Sequence, residues 1–479
     1  MNTAALSVSL PFLIMSATTL IAMLAIAIRR NHLAVITITL IGVGASLLSL
    51  SFAASAVPRQ LTSLLIVDSY SLVYMALLLC AAAFAILLSY GYLEQRHEHR
   101  EEFYLLILLA TTGAMVLTAS RHFISLFLGL ELLSISLYAL ISYIRAETIS
   151  IEAGIKYLVL AASSSSVLLF GLALIYAESG SMDLSQFAAT LSHTANFPLV
   201  VGFMLVLTGV GFKLAVVPFH LWTPDVYEGA PLPVTAFIAT VSKGGMFALI
   251  LRWIHLPDAR VSGAAGLVLT IIAIASMLTG NLLALTQTNV KRILAYSSIA
   301  HMGYALVALL AGGSLGAPAA TYYLAAYFTT ILGAFGVMTI LSGPEREAAS
   351  IDDYRGLFWR RPFLAAIFTA MLLSLAGIPL TAGFLGKFYV MAAGAAQSRW
   401  LLLFTLVASS TIGLFYYLRI LAAMYAKETD TTAAAEPPRP VLPIPAALAV
   451  AVLTGLIFLL GLYPTPLWNA IVAATSNLG

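Results

Sequence analysis

Long apolar stretches, separated by short polar segments, follow one another along the whole chain. Most of them are about 20 residues long, the length at which an α-helix crosses a bilayer. The pattern predicts about fourteen membrane-spanning helices and no soluble domain between them, because the longest gaps are only about 178–196 and 342–361. The approximate cores of the predicted spans are 8–28, 33–57, 70–92, 103–120, 123–144, 153–177, 197–219, 231–253, 263–286, 294–312, 316–341, 362–397, 400–426 and 443–463.

Composition supports a membrane protein rather than a soluble or nucleic-acid-binding one. Of 479 residues, 61% are hydrophobic and 9% are charged, whereas soluble domains are about 25% charged. The single cysteine, Cys80, provides neither a disulfide nor a metal motif. The apolar N-terminus has no basic segment before it, so we predict a first membrane helix rather than a cleaved signal. No phosphate loop or haem or iron–sulfur pattern is recognised, so we expect no redox cofactor in this chain.

The basic residues predict the orientation of the helices. Loops after odd-numbered spans hold thirteen Lys and Arg residues, and loops after even-numbered spans hold five. Basic loops stay in the cytoplasm, so both termini should face outward. The thirteen are Arg29, Arg30, Arg96, Arg100, Arg145, Lys291, Arg292, Arg346, Arg355, Arg360, Arg361, Lys427 and Arg439, and the five are Arg59, Arg121, Arg252, Arg260 and Arg399.

Six ionisable residues fall inside predicted spans. Each such charge costs about 2.5–3.5 kcal/mol near a helix centre, and those that remain usually face protein or water. Two of the six lie near cytoplasmic helix ends, where the side chain could also reach the membrane surface, and both interpretations stay open for them. The six are Glu131, Lys156, Lys213, Lys243, Lys387 and Arg419, of which Lys156 and Arg419 lie near the ends.

The four deeper residues predict proton transfer. Glu131 and one lysine could form a static ion pair that only fixes packing, but one carboxylate cannot neutralise Lys213, Lys243 and Lys387 together. Burial lowers the pKa of a lysine, and a nearby carboxylate raises it. A lysine balanced between these effects exchanges protons near neutral pH. We therefore interpret this group as part of a proton path.

The backbone around two of the lysines is predicted to be irregular. Pro218 lacks an amide proton and clashes with the carbonyl of Leu214, so the seventh helix should kink or break just past Lys213. In the twelfth span, LSLAGIPLTAGFLGKFYV places glycines and a proline just before Lys387. Irregular backbone at membrane depth occurs where it is buried or lines a wet cavity, and paired broken helices are typical of transport sites.

The two irregular helices also predict internal repeats. Lys213 and Lys387 lie five helices apart, an odd number, so helices 4–8 and 9–13 would form two units of opposite orientation. The expected all-α fold then divides into helices 1–3 (1–102), a first repeat (103–253), a second repeat (263–427) and a last helix (443–463).

Other polar residues have two open interpretations each. His220 follows the predicted break in helix seven and His301 lies on helix ten, where either could relay protons or only hydrogen-bond within the bundle. The serine run at 163–166 could wet a passage or allow close helix packing, and we favour packing.

Four segments resemble the N-type membrane subunits of proton-pumping NADH:quinone oxidoreductase, respiratory complex I, in the antiporter-like family. These segments are FKLAVVPFHLWTPDVYEGAPLPVTAF, LGLELLSISLYAL, RILAYSSIAHMGY and LAGIPLTAGFLGKF. The resemblance covers essentially the whole chain. The lysine rather than glutamate at position 387 also fits the N type, and no long lateral helix follows.

The resemblance implies an antiporter-like fold with inverted repeats of helices 4–8 and 9–13 and broken helices seven and twelve. It implies proton translocation through the positions of Glu131, Lys213, Lys243 and Lys387. We hypothesise that Glu131 pairs with Lys213 and holds it protonated. The family also uses the positions of three further residues, Lys156, His220 and Tyr296. FMN, iron–sulfur clusters and quinone are expected in other subunits of the complex. A neighbouring M-type subunit and membrane lipid are expected partners, in a bacterial inner membrane.

Two alternative functions remain open. One is a Na⁺/H⁺ antiporter subunit without redox coupling, although hard cations prefer several oxygen ligands and the central groups are three lysines and one carboxylate. Purification with flavin and iron–sulfur subunits would favour complex I over this alternative. The other is a purely structural membrane spacer, which would tolerate neutral replacements at all four central residues.

Overall fold

A computed structural model of the chain describes residues 3–96, 99–186, 196–255, 263–427 and 443–476. Arg439 and Arg260, which were counted in the orientation, lie outside these residues. The first half contains α1 (Thr3–Ile28), α2 (His32–Ala54), α3 (Ser69–Glu94), α4 (Glu102–Ala119), α5 (Phe123–Ile141), α6 (Thr148–Ser179), α7 (Phe197–Leu214), α8 (Trp222–Gly229), α9 (Leu232–Phe237) and α10 (Lys243–Ile254).

The second half continues the same helical pattern. It contains α11 (Gly263–Leu285), α12 (Val290–Ala311), α13 (Gly313–Leu341), α14 (Leu357–Arg360), α15 (Pro362–Ala376), α16 (Ala382–Ala396), α17 (Trp400–Tyr425), α18 (Ile444–Leu462) and α19 (Thr465–Thr475), with a 3₁₀ turn at Ile351–Tyr354. Within the described residues, thirteen helical segments are long and apolar enough to span a membrane. The shorter α15 and α16 together make up the predicted twelfth span. The prediction of an all-α polytopic membrane protein is confirmed.

A two-stranded hairpin interrupts the helices between α2 and α3. Its strands β1 (Arg59–Gln60) and β2 (Ile66–Val67) pair antiparallel. The backbone carbonyl of Leu64, in the turn between them, accepts hydrogen bonds from the Arg121 amide and the Ser125 hydroxyl. The hairpin therefore ties the α2–α3 connection to the start of α5.

The centre of the molecule is formed by the helices that carry the deepest polar side chains. The segment Leu232–Ile254 is fully buried, and α12 and α13 are almost fully buried. In contrast, α1 and α18 bury little of their surface within the chain. Lys243 thus lies on a helix that other helices surround. Any polar partner of its amine must come from those neighbouring helices.

Close helix packing positions the seventh crossing. Gly171 of α6 and Gly202 of α7 face each other so tightly that a Cβ on Gly171 would lie 2.6 Å from the Gly202 carbonyl oxygen. Small residues allow helices in membranes to approach closely. This contact holds α7, which ends at Leu214 directly after Lys213, against α6.

The two predicted helix breaks are present. The first lies between α7 and α8, where Ala215 adopts a left-handed conformation with φ of 60°. The second lies between α15 and α16, where Gly377 has φ of 86°. In both places the chain leaves the helix next to a buried lysine, as the positions of Pro218 and of the glycines predicted.

One irregularity was not predicted. The span that the sequence indicated as a regular helix over 231–253 contains a π-helical segment at Ile238–Ser242, directly before Lys243. Such wider turns are rare and occur frequently at functional sites. The extra residue in the turn shifts the direction in which the following side chains point, and Lys243 is the first residue after it.

Candidate functional site

The three deep lysines all face the interior of the protein. Their exposed fractions are 2% for Lys213, 0% for Lys243 and 6% for Lys387. Each lies beside an irregular piece of backbone: Lys213 at the end of α7, Lys243 after the π-helical segment and Lys387 in α16 after its break. No carboxylate lies within 4 Å of any of these amines, all of which are in described segments. Their partners are therefore neutral groups.

Lys213 is held by two hydroxyl groups from neighbouring helices. Its Nζ donates to Ser134 Oγ on α5 at 2.9 Å and to Tyr157 Oη on α6 at 3.0 Å. Tyr157 is also enclosed by the rings of Phe212 and Trp222. The break after α7 contributes here, because the Trp222 indole at the start of α8 donates to the Phe212 carbonyl at 3.0 Å. The amine is thus bound by side chains from α5 and α6.

Glu131 does not form the expected direct ion pair with Lys213. Its Oε1 instead accepts a hydrogen bond from Ser165 Oγ at 2.6 Å, while the Lys213 amine bonds Ser134, one turn along α5 from Glu131. The carboxylate is near enough to act on the amine electrostatically. The reason for the difference is tertiary: α6 inserts a serine hydroxyl that binds the carboxylate.

A small cavity lies between Lys213 and Ser165, the serine that binds Glu131. Its volume is about 10 Å³, and Ser134, Ser165 and Lys213 are among its lining residues. That is room for about one water molecule, and the site offers the polar partners that a water requires. Ser164 also lines it, so half of the 163–166 run faces this polar space, whereas Ser163 and Ser166 are exposed. The expectation that the run serves only packing was therefore wrong.

Lys243 lies in a cluster of hydroxyl groups at the centre of the bundle. Its Nζ donates to Ser298 Oγ on α12 at 2.7 Å. The same Oγ accepts from Tyr327 Oη of α13 at 2.6 Å and lies 3.2 Å from Tyr227 Oη of α8. Serine and tyrosine hydroxyls can both donate and accept. The cluster can therefore pass a proton to or from the amine.

His301 extends this cluster toward Lys387. Its Nδ1 lies 2.6 Å from Tyr323 Oη, its Nε2 lies 3.4 Å from Tyr417 Oη, and its ring lies 5.0 Å from that of Tyr327. The histidine interacts electrostatically with both Lys243 and Lys387. The histidine thus lies among tyrosine side chains in the interior of the bundle, and the relay role stays a prediction.

Lys387 is bound mainly by the backbone. Its Nζ donates to the carbonyls of Leu375 at 3.0 Å and Ala376 at 2.8 Å, which end α15, and to Ser410 Oγ at 2.7 Å. The last carbonyls of a helix have no partner within the helix and carry partial negative charge. The break between α15 and α16 therefore supplies acceptors for the amine.

The three lysines share a surrounding that sequence inspection did not reveal. Each amine donates to one serine and faces one tyrosine ring at 5.2–5.6 Å, close enough for a cation–π interaction. The pairs are Ser134 with Tyr157 for Lys213, Ser298 with Tyr227 for Lys243, and Ser410 with Tyr304 for Lys387. A partial signal existed, because Ser134 and Ser298 lie three residues from Glu131 and His301 and thus share their helix faces.

The hydrogen bonds do not run continuously through the site. Among the described residues, none joins the Lys213 group to the Lys243 group, since Tyr157 and Ser134 make no further bond toward α12. Among the described residues no hydrogen bond joins His301 to Lys387 either, but the rings of His301 and Tyr304 lie 5.5 Å apart and the Lys387 amine faces the Tyr304 ring at 5.2 Å. Ring and hydroxyl contacts thus connect Lys243, His301 and Lys387, and they leave Lys213 with Glu131 in a separate polar group.

The two residues near helix ends have defined partners. Lys156 is half-exposed and forms ion pairs with Glu152 at 2.7 Å and Asp225 at 2.9 Å. Arg419 donates to the carbonyls of Leu285 and Gln287, just past the end of α11. Arginine commonly binds the last carbonyls of a helix in this way. Lys156 thus belongs to a peripheral ionic network, and Arg419 caps a helix.

The remaining predicted residues lie outside these groups. His220 is buried in the turn between α7 and α8, and its Nδ1 has no hydrogen-bond partner among the described residues. Tyr296 is partly buried against the apolar core. No set of three or more His, Cys, Asp or Glu side chains within the described ranges is arranged to hold a metal ion.

Broken membrane helices around buried lysines define an antiporter-like membrane protein. Residues 120–413 match the family described as NADH:quinone oxidoreductase/Mrp antiporter, transmembrane. The fold is similar to a chain of the Mrp complex from Dietzia sp. DQ12-45-1b, with a TM-score of 0.87, 20% identity, and coverage of 100% of this chain and 98% of that one. At that identity the similarity shows the fold alone.

Relatives of higher identity narrow the class. The chain is 48% identical over 465 residues to NADH-quinone oxidoreductase subunit N of Ectopseudomonas mendocina (strain ymp), covering 96% of this chain and 94% of that protein. It is also similar to a chain of respiratory complex I from Thermus thermophilus with bound aureothin, with a TM-score of 0.82, 32% identity, and coverage of 97% and 100%. The chain therefore belongs to the family of N subunits of NADH–quinone oxidoreductase. The resemblance inferred from its motifs is confirmed.

Proposed function

We propose that this chain is a membrane-arm subunit of an NADH–quinone oxidoreductase and carries protons across the membrane. The energy would come from electron transfer between NADH and quinone in other subunits, which would hold the FMN, the iron–sulfur clusters and the quinone. The observation that carries this proposal is the set of three fully buried lysines, each with hydroxyl partners and without a carboxylate contact. Groups of this kind can gain and lose a proton without moving far.

The proton would travel from the first half of the molecule to the second. Glu131 and Lys213 would form the first group, in which a direct ion pair would close across the small cavity in another state of the cycle. When a signal from the redox arm weakens that pair, the proton would move toward Lys243, then past His301 to Lys387 for release. The hydroxyl contacts of Lys243, and the ring contacts that lead from Tyr327 past His301 and Tyr304 to Lys387, support the second part of this route.

The same proposal includes the arrangement of the helices, the neighbouring subunits and the membrane. Helices 4–8 and 9–13 would form inverted repeats, each with one broken helix, while helices 1–3 and 14 would contact neighbouring subunits, including an M-type antiporter-like subunit. The complex would lie in a bacterial inner membrane with both termini of this chain in the periplasm. Lys156, His220 and Tyr296 would assist the path from positions outside its centre.

Replacement of Lys213 by alanine in the assembled complex tests the function. We expect NADH-driven proton uptake into membrane vesicles to fall by about tenfold or more, as for loss of one proton-transfer group. NADH oxidation by an artificial acceptor that bypasses quinone should stay unchanged, which controls for assembly. The matched control is Arg346→Lys, which keeps the positive charge of an exposed ion pair with Asp353 and should leave proton uptake unchanged. Unchanged proton uptake in a normally assembled Lys213→Ala complex would contradict the proposal.

A further inference from the structure

A buried ion pair at the start of α12 takes no part in the route described so far. Lys291 is 1% exposed, and its Nζ donates to Glu347 Oε2 at 2.6 Å and to the carbonyl of Ala230 at 2.7 Å. Glu347 lies in the connection after α13, and its side chain is 12% exposed. A buried pair of this kind needs a reason, because desolvation of both charges can offset their attraction.

Other ionisable groups meet at the same point. Tyr92 Oη of α3 donates to Glu347 Oε1 at 2.6 Å, and the Leu232 amide donates to the same oxygen at 3.1 Å. Glu147, in the connection between α5 and α6, also faces this carboxylate. Burial and the negative charge of Glu347 raise the pKa of Glu147, against the opposing effect of Arg96 and Lys291. Three side chains and one backbone amide, from four parts of the chain, thus surround one carboxyl group at the edge of the bundle.

A small cavity lies on the outer side of Tyr92. It measures about 10 Å³, room for about one water molecule, and Gln95, Arg96 and Ser342 contribute polar groups to its lining. These residues follow the ends of α3 and α13, on the side where the basic loops place the cytoplasm. The cavity provides a position for water beside Tyr92, the residue whose hydroxyl contacts Glu347.

From Lys291, polar contacts lead inward to Lys243. Lys291 and Ser298 are seven residues apart on α12, about 10 Å along one helix face at about 1.5 Å per residue. The carbonyl of Ala230, which accepts from Lys291, also accepts a hydrogen bond from Thr235 Oγ1 at 3.3 Å. The same hydroxyl lies 3.2 Å from the carbonyl oxygen of Tyr227. The hydroxyl of the same tyrosine contacts Ser298, the partner of Lys243.

We propose that Glu347 and Lys291 form a proton-loading site that delivers protons from the cytoplasmic side to Lys243. This inference rests on the proposed function. Glu347 accepts a proton from a hydronium ion of the cytoplasmic water, which becomes a water molecule, and its carboxyl group passes that proton to the neutral Lys291 amine. Because backbone carbonyls accept hydrogen bonds but hold no proton to pass on, the ammonium group transfers the proton through a short chain of water molecules along this face of α12 to Ser298 and Lys243. Each step moves one proton and leaves the donor with one fewer.

Replacement of Lys291 by arginine separates proton transfer from a purely structural role. Arginine keeps the positive charge opposite Glu347 but is not deprotonated in proteins. In the assembled complex, we expect NADH-driven proton uptake to fall by about tenfold or more, with unchanged oxidation of NADH by an acceptor that bypasses quinone. Glu347→Gln should give a similar loss, and Glu347→Asp, which keeps a carboxyl group, should restore part of it.

Two controls make the outcome decisive. Asp68 and Arg252 form another buried ion pair, at the opposite end of α3, and Asp68→Asn should reduce the amount of assembled complex without lowering proton uptake per oxidised NADH. If Lys291→Arg supports normal uptake while Lys213→Ala abolishes it, the loading site is wrong and the proposed function stands. If Lys213→Ala has no effect, the proposed function itself fails. Should Lys291→Arg not assemble, equal uptake in the Glu347→Gln and Glu347→Asp complexes would overturn the inference.

Discussion

The two helix breaks of this protein hold their lysines by different means. At the first, Lys213 is bound by the side chains of Ser134 and Tyr157, with the Glu131 carboxylate close by. At the second, Lys387 is bound by two carbonyls at the end of α15 and one serine hydroxyl. Side chains can turn or exchange partners, whereas carbonyls at a helix end stay where the backbone puts them. The first site is thus adjustable and the second is fixed.

Both breaks place a residue with a Cβ in the left-handed region. The first uses Ala215, and this conformation costs such a residue about 1–2 kcal/mol. The second uses Gly377, which adopts it without that cost, and Leu380 with φ of 75°, which bears the same cost as Ala215. The two breaks therefore differ in how they bind their lysines rather than in backbone strain. Three experiments test this comparison.

The largest effect should come from removal of both hydroxyls at the first site. The double variant Ser134→Ala with Tyr157→Phe leaves Lys213 without a hydrogen-bond partner, and each bond to a charged group contributes at least about 1.5 kcal/mol. We expect NADH-driven proton uptake to fall by about a hundredfold. Ser410→Ala is the matched control, because Lys387 keeps both carbonyls, and it should lower uptake by about tenfold at most. Equal losses in the two variants would break the comparison.

A smaller effect is expected from exchange of the turn residues. Gly377→Ala should destabilise the protein by about 1–2 kcal/mol because of the positive φ. The new Cβ would also lie 2.9 Å from Lys387 Cδ, so the amine would move away from its carbonyls and proton uptake would fall. The reverse exchange, Ala215→Gly, relieves the conformation at the first break and should leave stability unchanged or higher by up to about 1 kcal/mol.

Thermal unfolding of the purified complex, followed together with proton uptake, measures both variants. If Ala215→Gly proves as harmful as Gly377→Ala, the left-handed turn at Ala215 is not strained and this prediction is wrong.

The smallest effect should follow removal of the hydroxyl that binds the carboxylate. Ser165→Ala takes away the hydrogen bond to Glu131, which contributes about 1 kcal/mol. We expect proton uptake to change by about fivefold. Ser166→Ala is the control, because that hydroxyl is exposed and bonds only the Ala162 carbonyl within its own helix. An identical response in the two variants would show that Glu131 does not depend on its serine partner.

Several features of the site were predictable because they depend on short stretches of sequence. The depth of Lys213, Lys243 and Lys387 follows from the apolar residues on either side of them. The breaks follow from Pro218, which removes a backbone hydrogen bond, and from Gly377, which adopts a positive φ readily and is followed by Pro379. The N-type assignment was readable from the WTPDVYEGAP element and the neighbouring segments, and the relatives confirm it.

Other features could not be predicted because they join distant parts of the chain. Lys213 meets Tyr157 across 56 residues, and Lys243 meets Ser298 across 55. Serine and tyrosine are common in membrane helices, so no local pattern marks the ones that turn toward an amine. The direct contact expected between Glu131 and Lys213 is absent from this structure for the same reason: Ser165, on another helix, binds the carboxylate.

The sequence by itself determined the number of membrane crossings, the residues that lie at depth and the places where helices end. These properties arise from the cost of putting polar groups and broken backbone into a bilayer, a cost that each segment bears separately. The tertiary structure decided which hydroxyls and carbonyls surround each amine, and that Lys291 and Glu347 meet at the edge of the bundle. Hydrogen bonds act over about 3 Å, so only the packing of helices against one another could select those partners.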